Sequence, residues 1–410
     1  MSYNSTYRSY IRYHIRISRY RLQPTSAQES VLLEHCGHAR YVWNLCVEQE
    51  SWWRRDRGRM PGWVERCRQP TEARSDNPWL ADGSVIVQQQ AIRDHNQAMK
   101  WFFAGTHRQP SWRKAGRDEG FRIVAMGPRD VRRLNRHWAE VKIPKAGWVR
   151  FRWSRPVPQN VKSYRVTRDQ IGRWHVAFAH LPEPVSGPGK GEVVGVDRGV
   201  VVSAALSTGE LLQCPGLSPR ETARRRTLER KLAKATRGSG RRIQVKTTVA
   251  QLKCREVARR RDWCEKVSTD LARRFDIIRV EDLGIRNMIR SARGTVDAPG
   301  RNVTQKTGLN RSIQRSGWGL LVRRLQDKAP GRVEKVPPAF TSLRCSACGH
   351  VAQESRKSQA LYLCVACGYA CNADVNAARN IAAGHAVKAR GGDGAGRPVN
   401  REPQRALLVS

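Results

Sequence analysis

Near its start the chain alternates as a strand does. Ile11, Tyr13, Ile15 and Ile17 fall on one side, Arg12, His14 and Arg16 on the other. The apolar phase then shifts to Tyr20 and Leu22, which predicts a bulge near Ser18-Arg19. Pro24-Thr25 followed by Gln28-Glu29 starts a helix, with Thr25 and Gln28 spaced as a capping box. Helical periodicity continues to about Trp112. Alternation returns at Val149, Phe151 and Trp153, then in a hairpin of Ser163–Arg168 and Trp174–His180 turning through Gln170-Ile171-Gly172. With the first strand these segments predict an antiparallel sheet or small barrel, split by a helical insert and closed by a Pro/Gly linker at 181–191.

The second half opens on a short apolar strand, Val193–Asp197, that delivers an acid at its end. An antiparallel meander follows, 200–206 and 210–212, through Thr208-Gly209. Residues 218–275 read as long helices, 275–280 as another apolar strand ending in an acid, Glu281. The stretch 291–308, rich in Gly, Asn and Thr, reads as an irregular loop. Trp318, Leu321, Val322 and Leu325 mark a further helix and Val333–Val336 a strand. Past Gly384 the composition predicts disorder.

Two motifs carry chemistry. Cys345-Ser-Ala-Cys348 and Cys364-Val-Ala-Cys367 have the spacing of a four-thiolate zinc ribbon, each followed by glycine. Four thiolates leave no position for water, so this zinc is structural. Asp374 follows seven positions later in an Ala/Asn-rich helix. A strand ending in Asp197, a strand ending in Glu281 and a helix opening on Asp374 describe an α/β ribonuclease H-like fold interrupted by the ribbon. Any one of these acids alone reads as a strand-end cap or surface charge. Together they form an oxygen donor set suited to Mg²⁺ or Mn²⁺ and to two-metal phosphodiester hydrolysis. Asp282 points to the other face of its strand and is left out.

Charge identifies the partner. Seventy-six Lys and Arg against 35 Asp and Glu give a formal +41, spread along the chain, which calls for a polyanion such as nucleic acid. Between 220 and 266, seventeen basic residues face five acids; a solvated helix face and a phosphate-tracking surface are both open, with Arg224, Arg225, Arg226, Arg259, Arg260 and Arg261 as candidate contacts. Seven of the thirteen tryptophans lie before residue 113, interleaved with arginines. Most are expected in a small helical core, but Trp52 and Trp53 cannot both face inward. One of them, beside Arg54 and Arg55, is a candidate for stacking on nucleobases. No apolar run approaches the ~18 residues of a membrane span, nor is a secretory leader expected. The remaining cysteines (Cys36, Cys46, Cys67, Cys214, Cys254, Cys264, Cys371) show no pairing pattern, which suits a reducing cytoplasm.

Several of these segments resemble one family. Gly195-Val-Asp197-x-Gly199, Val280-Glu281-Asp282-Leu283, Thr341-Ser342 before the ribbon and Asn372-Ala-Asp374-Val-Asn376-Ala-Ala resemble the split RuvC nuclease of TnpB and of compact type V CRISPR effectors. The opening Tyr20-Arg21-Leu22-x-Pro24-Thr25 and Arg40-Tyr41-Val42-x-Asn44 resemble TnpB as well. The resemblance implies a wedge domain (1–34 and 116–185) carrying a helical recognition insert (35–115). It further implies a RuvC-like nuclease (190–343 and 371–384), a ribbon (344–370) and a tail (385–410). It implies a bound guide RNA, double-stranded target DNA, and Asp197, Glu281 and Asp374 as metal ligands. A monomer and a homodimer both remain open. So do an RNA-guided silencer and a transposase acting on element ends. Arg198 stands where the family more often has an aliphatic residue and is expected to face away from Asp197. The segment 290–305 is expected to cover the site until guide and target pair.

Overall fold

A computed structural model describes residues 16–52, 63–117, 119–124, 126–159, 161–181, 183–295 and 298–384. Its contacts divide the chain into two units, 1–182 with 235–251, and 183–234 with 252–410.

In the first unit, strand β1 (Arg16–Gln23) leads into α1 (Ser26–Trp52), α2 (Trp63–Asp76), α3 (Pro78–Ala81) and α4 (Val85–Phe103). Strands β2 (Gly120–Val124), β3 (Val131–Arg133), β4 (Trp138–Ile143), β5 (Gly147–Arg152), β6 (Ser163–Arg168) and β7 (Trp174–His180) follow. They make one antiparallel sheet in the order β2-β6-β7-β1-β5-β4-β3. The helical insert thus interrupts a sheet whose middle strand comes first in sequence. The Thr25–Gln28 box forms as expected: the Gln28 amide N–H donates to Thr25 Oγ1 at 3.3 Å and the Thr25 N–H to Gln28 Oε1 at 3.1 Å.

The expected bulge is absent. β1 pairs without interruption from Arg16↔His180 to Arg21↔His175. Its inward face is Ser18, Tyr20 and Leu22, and Ile17 is 64% exposed. The apparent phase slip arises because the buried row starts on a polar residue: Ser18 Oγ lies 3.1 Å from His180 Nε2, which satisfies a hydroxyl that would otherwise be costly to bury.

The tryptophans also depart from expectation. Trp43 is buried, but Trp52, Trp79, Trp101 and Trp112 are each about half exposed or more. Smaller side chains fill the core instead: Leu32, Cys36, Ala39, Val42 and Cys46 of α1 against Leu80, Val87, Ala91 and Ile92. Part of this insert is held by charge. Arg66 on α2 meets Glu50 of α1 at 3.1 Å and donates to Asn96 of α4 at 3.1 Å, with the Arg66 and Glu50 side chains 3% and 4% exposed. Removing one member of a buried pair strands the other. Glu50→Gln is therefore expected to destabilise the fold by about 3–5 kcal/mol, read as a shift in the urea midpoint.

In the second unit, β8 (Val193–Asp197), β9 (Ala204–Leu206) and β10 (Leu211–Leu212) precede α5 (Pro219–Lys234) and α6 (Gly240–Arg274), of which residues 240–251 count with the first unit. Then come β11 (Ile277–Glu281), α7 (Ile285–Met288), α8 (Val303–Ser316), α9 (Trp318–Lys328), β12 (Val333–Val336), β13 (Leu361–Leu363), β14 (Ala370–Asn372) and α10 (Ala373–Ala383). The sheet order is β10-β9-β8-β11-β12, with β8, β11 and β12 parallel and β9, β10 antiparallel. Helix α8 overturns part of the expected loop, since 303–308 are helical; Gly294 and Pro299 form a small bridge before it.

Helix α10 packs directly on β8. A Cβ on Gly195 would stand 2.0 Å from the Ala378 carbonyl oxygen and 2.4 Å from the Ala382 nitrogen, both backbone atoms that cannot yield. Gly195→Ala is accordingly expected to push α10 off the strand, at a cost of about 1–3 kcal/mol. A fall in the urea midpoint of the variant checks this.

Candidate active site and metal centre

Parallel pairing aligns the ends of β8 and β11, with Val196 opposite Val280, so Asp197 and Glu281 emerge side by side. Asp374 joins them from the first turn of α10. That turn is fixed by Asn372, whose Oδ1 accepts from the amides of Asp374 (3.0 Å) and Val375 (3.2 Å). Asp197 feels both of the other acids. Burial first, then the charges of Glu281 and Asp374, push Asp197 up to about 8. Burial also raises Asp374, opposed by Arg356 at 3.5 Å. Glu281 and Asp374 are 8% and 9% exposed.

Four neighbours have no role assigned from sequence, although Thr341 and Asn376 fall within the segments that resemble the RuvC nuclease. The Thr341 hydroxyl donates to Glu281 Oε1 at 2.6 Å. Arg356, between the two cysteine pairs in sequence, reaches Asp374. On α10, Asn376 accepts from the Ser346 amide (2.9 Å) and donates to the Arg344 carbonyl (2.7 Å), and Asn380 donates to the Thr341 and Arg344 carbonyls at 2.9 and 2.7 Å. These amides join the helix bearing the third acid to the chain entering the ribbon. Arg198 is buried at 5% exposure, with one guanidinium nitrogen bonded to the Glu281 carbonyl. That bond goes to the main chain of Glu281, and the guanidinium lies within electrostatic reach of Glu281 and Asp197.

Sγ atoms of Cys345, Cys348, Cys364 and Cys367 all lie within 4.8 Å of one another. Cys345 and Cys367 are 3.8 Å apart, Cys348 and Cys364 3.6 Å. Four sulfurs each ~2.3 Å from a tetrahedral zinc stand about 3.8 Å apart, whereas a disulfide would bring two to ~2.05 Å. Gly349 (φ 79°) and Gly368 (φ 73°) complete the knuckles, and their amides donate to the carbonyls of Cys345 and Cys364. The amides of Cys367, then Ala366, point at the Cys364 sulfur and hold it down at about 6 despite some burial. The set fits zinc. Cys371 lies outside the quartet.

The candidate nucleic-acid contacts fare differently. Trp52 is exposed near the end of α1; Trp53, Arg54 and Arg55 lie outside the described residues. Arg224, Arg226 and Arg261 are exposed. Arg225 meets Glu256 at 3.3 Å with its side chain 13% exposed, and Arg259 meets Glu221 at 2.6 Å. Two of the six arginines thus tie α5 to α6 through carboxylates.

Comparison with known proteins bears on all of this. The description "Cas12f1-like, TNB domain" matches residues 318–381, "Probable transposase" (OrfB of IS605) residues 175–292, and an OrfB "Helix-turn-helix domain" residues 15–59. The chain is 36% identical over 405 residues to "Putative RNA-guided DNA endonuclease InsQ" of Escherichia coli (strain K12), covering 96% of this chain and 98% of that one. It is 28% identical to a Streptomyces pristinaespiralis protein of like description, covering 95% and 97%. In fold it resembles Cas12f1 in the cryo-EM structure of its complex with sgRNA and target DNA. That match has a TM-score of 0.55 at 14% identity, over 87% of this chain and 83% of that one.

Proposed function

Since the chain belongs to the TnpB family, we propose that it is an RNA-guided DNA endonuclease that cuts at the Asp197–Glu281–Asp374 edge after guide–target pairing. In this class base pairing reads the target, and protein contacts read a short flanking DNA motif. One observation carries the site assignment: parallel pairing of β8 with β11 and the Asn372-capped first turn of α10 bring three acids to one edge, where Glu281 and Asp374 both act on Asp197. A donor set of that charge, all oxygen, suits hard cations. Asp197, Glu281 and Asp374 would hold Mg²⁺ or Mn²⁺, which when bound would activate a water and stabilise the leaving oxygen of a phosphodiester.

The remaining roles belong to the chain itself. Thr341 holds one Glu281 oxygen in place, and Asn372 fixes the turn that presents Asp374. Arg356 neutralises Asp374 and, once released from it, could meet negative charge on the scissile phosphate. We read β8–β12 with α10 as a ribonuclease H-like RuvC domain (190–343 and 371–384). The seven-stranded sheet is read as the wedge (1–34 and 116–185), α1–α4 as the recognition insert (35–115), and 344–370 as a zinc ribbon. Among the described residues no helix is long and apolar enough to cross a membrane, and we place the activity in the bacterial cytoplasm.

The test is direct. The protein is purified with its RNA, and that RNA is sequenced. The complex is then assayed with Mg²⁺ on DNA that either matches or scrambles the guide segment. Cleavage confined to matched DNA is expected; equal cutting of scrambled DNA, or cutting without RNA, would refute RNA guidance. Transposon-end RNA would make it a TnpB, repeat-derived RNA a CRISPR effector.

A further inference from the structure

Arginines converge on a second place in the second unit, whose lining includes none of the three acids. A cavity of about 230 Å³ is walled by Ser203 and Cys214 of the β8–β10 meander, Thr222 and Arg225 of α5, Glu256 and Arg260 of α6, and Ser312 and Arg315 of α8. Its charge does not balance. Glu256 is its one carboxylate, and both of its oxygens are taken, Oε2 by Arg225 at 3.3 Å and Oε1 by Arg315 at 3.1 Å. Arg260 has no ion-pair partner among the described residues. The Nε of Arg225 is buried with no hydrogen-bond partner, its nearest carboxylate being Glu229 at 3.8 Å. A buried N–H on a guanidinium is a donor that folding ordinarily satisfies. Three guanidiniums, two nearby hydroxyls (Thr222, Ser312) and one carboxylate already shared by two arginines leave a net positive hole lined with donors.

Its size narrows the occupant. Pockets that engulf whole small molecules run to roughly 300–1,000 Å³, so this one suits a single compact anion and some water. Guanidinium forks match tetrahedral oxyanions by paired N–H···O bonds. We propose that the cavity is a phosphate-binding site, filled by one backbone phosphate of bound nucleic acid or by free phosphate. It extends the reading of this chain as a nucleic-acid protein but needs no cleavage at Asp197, so the two can fail separately.

The test uses the full chain freed of nucleic acid, in parallel with Arg260→Gln and Arg260→Lys, each first shown by circular dichroism to be folded. Inorganic phosphate is titrated against chloride at matched ionic strength and followed by thermal shift and ³¹P line broadening. Binding of a single-stranded RNA oligonucleotide is then measured against salt. The site predicts phosphate-specific stabilisation of the wild type, loss in Arg260→Gln and partial recovery in Arg260→Lys. If the occupant is a backbone phosphate, the oligonucleotide competes with phosphate, and Arg260→Gln flattens the log–log salt slope by about 0.7, the share of one phosphate contact on a single strand. If phosphate binds but neither slope nor competition changes, the site stands with free phosphate as its ligand. Equal responses to phosphate and chloride, with an unchanged slope in Arg260→Gln, would overturn it.

Discussion

Asp374→Ala, Asp197→Ala or Glu281→Ala is expected to abolish cleavage of a matched target while leaving RNA-dependent DNA binding close to wild type. On the proposed reading each substitution removes a carboxylate that would hold metal, and metal chemistry is worth several kcal/mol of transition-state stabilisation. At 1.36 kcal/mol per tenfold, that is about 10³-fold or more in rate. The basic surface is untouched, so binding by gel shift should hold. Cleavage within tenfold of wild type in any single variant would remove that acid from the site. Thr341→Val makes a graded companion: Glu281 remains but loses the hydroxyl 2.6 Å from Oε1, so a smaller loss is expected, with cleavage still present.

Loss of zinc should have the other large effect, on the fold. Structural zinc contributes an apparent ~10–16 kcal/mol at neutral pH in small zinc modules, and the ribbon's own core here is little more than Tyr362, Ala373 and two of the cysteines. Cys364→Ser is expected to bring zinc below one per chain and unfold the ribbon. Because Asn376 and Asn380 connect α10 to residues 341–346, it should also lower cleavage. Cys371→Ser should keep its zinc, since that thiol stands apart from the quartet. Elemental analysis of both purified variants decides the point; equal zinc loss in the two would make Cys371 a ligand.

What the sequence revealed of this site was local in its causes. An apolar run ending in an acid declares a strand with a carboxylate at its tip, and Cys-x-x-Cys followed by glycine declares a knuckle. The contacts that orient the acids are of another kind. Thr341 meets Glu281 across 60 residues and Arg198 meets the same residue across 83, so no periodicity or short spacing could disclose them. Asn376 and Asn380 lie four apart on one helix face, a pattern that signals only that both seek the same neighbour. The tryptophans depart because hydrophobicity is not burial. Two lie on the surface against imidazole rings, Trp79 with its ring centre 4.3 Å from that of His38 and Trp101 4.9 Å from that of His107. The bulge was inferred from apolar phase alone, and a buried Ser18–His180 pair is invisible to that criterion. Likewise Thr304, Thr307 and Gly308 read as part of a loop, yet 303–308 form the first turns of α8, entered from Asn302 at a positive φ of 53°.

The order in which the acids occur has a consequence for how the protein is made. Asp197 and Glu281 meet through adjacent parallel strands, but Asp374 comes on the far side of the ribbon, 93 residues after Glu281 (374 − 281). At roughly 5–20 residues per second of synthesis, the nascent chain spends about 5–20 s with two of its three acids. It cannot complete the edge until α10 has left the ribosome and its asparagines have met residues 341–346. On the proposed reading the cutting edge stays incomplete until α10 has emerged, and a chain that stops short of residue 374 lacks one of its three acids.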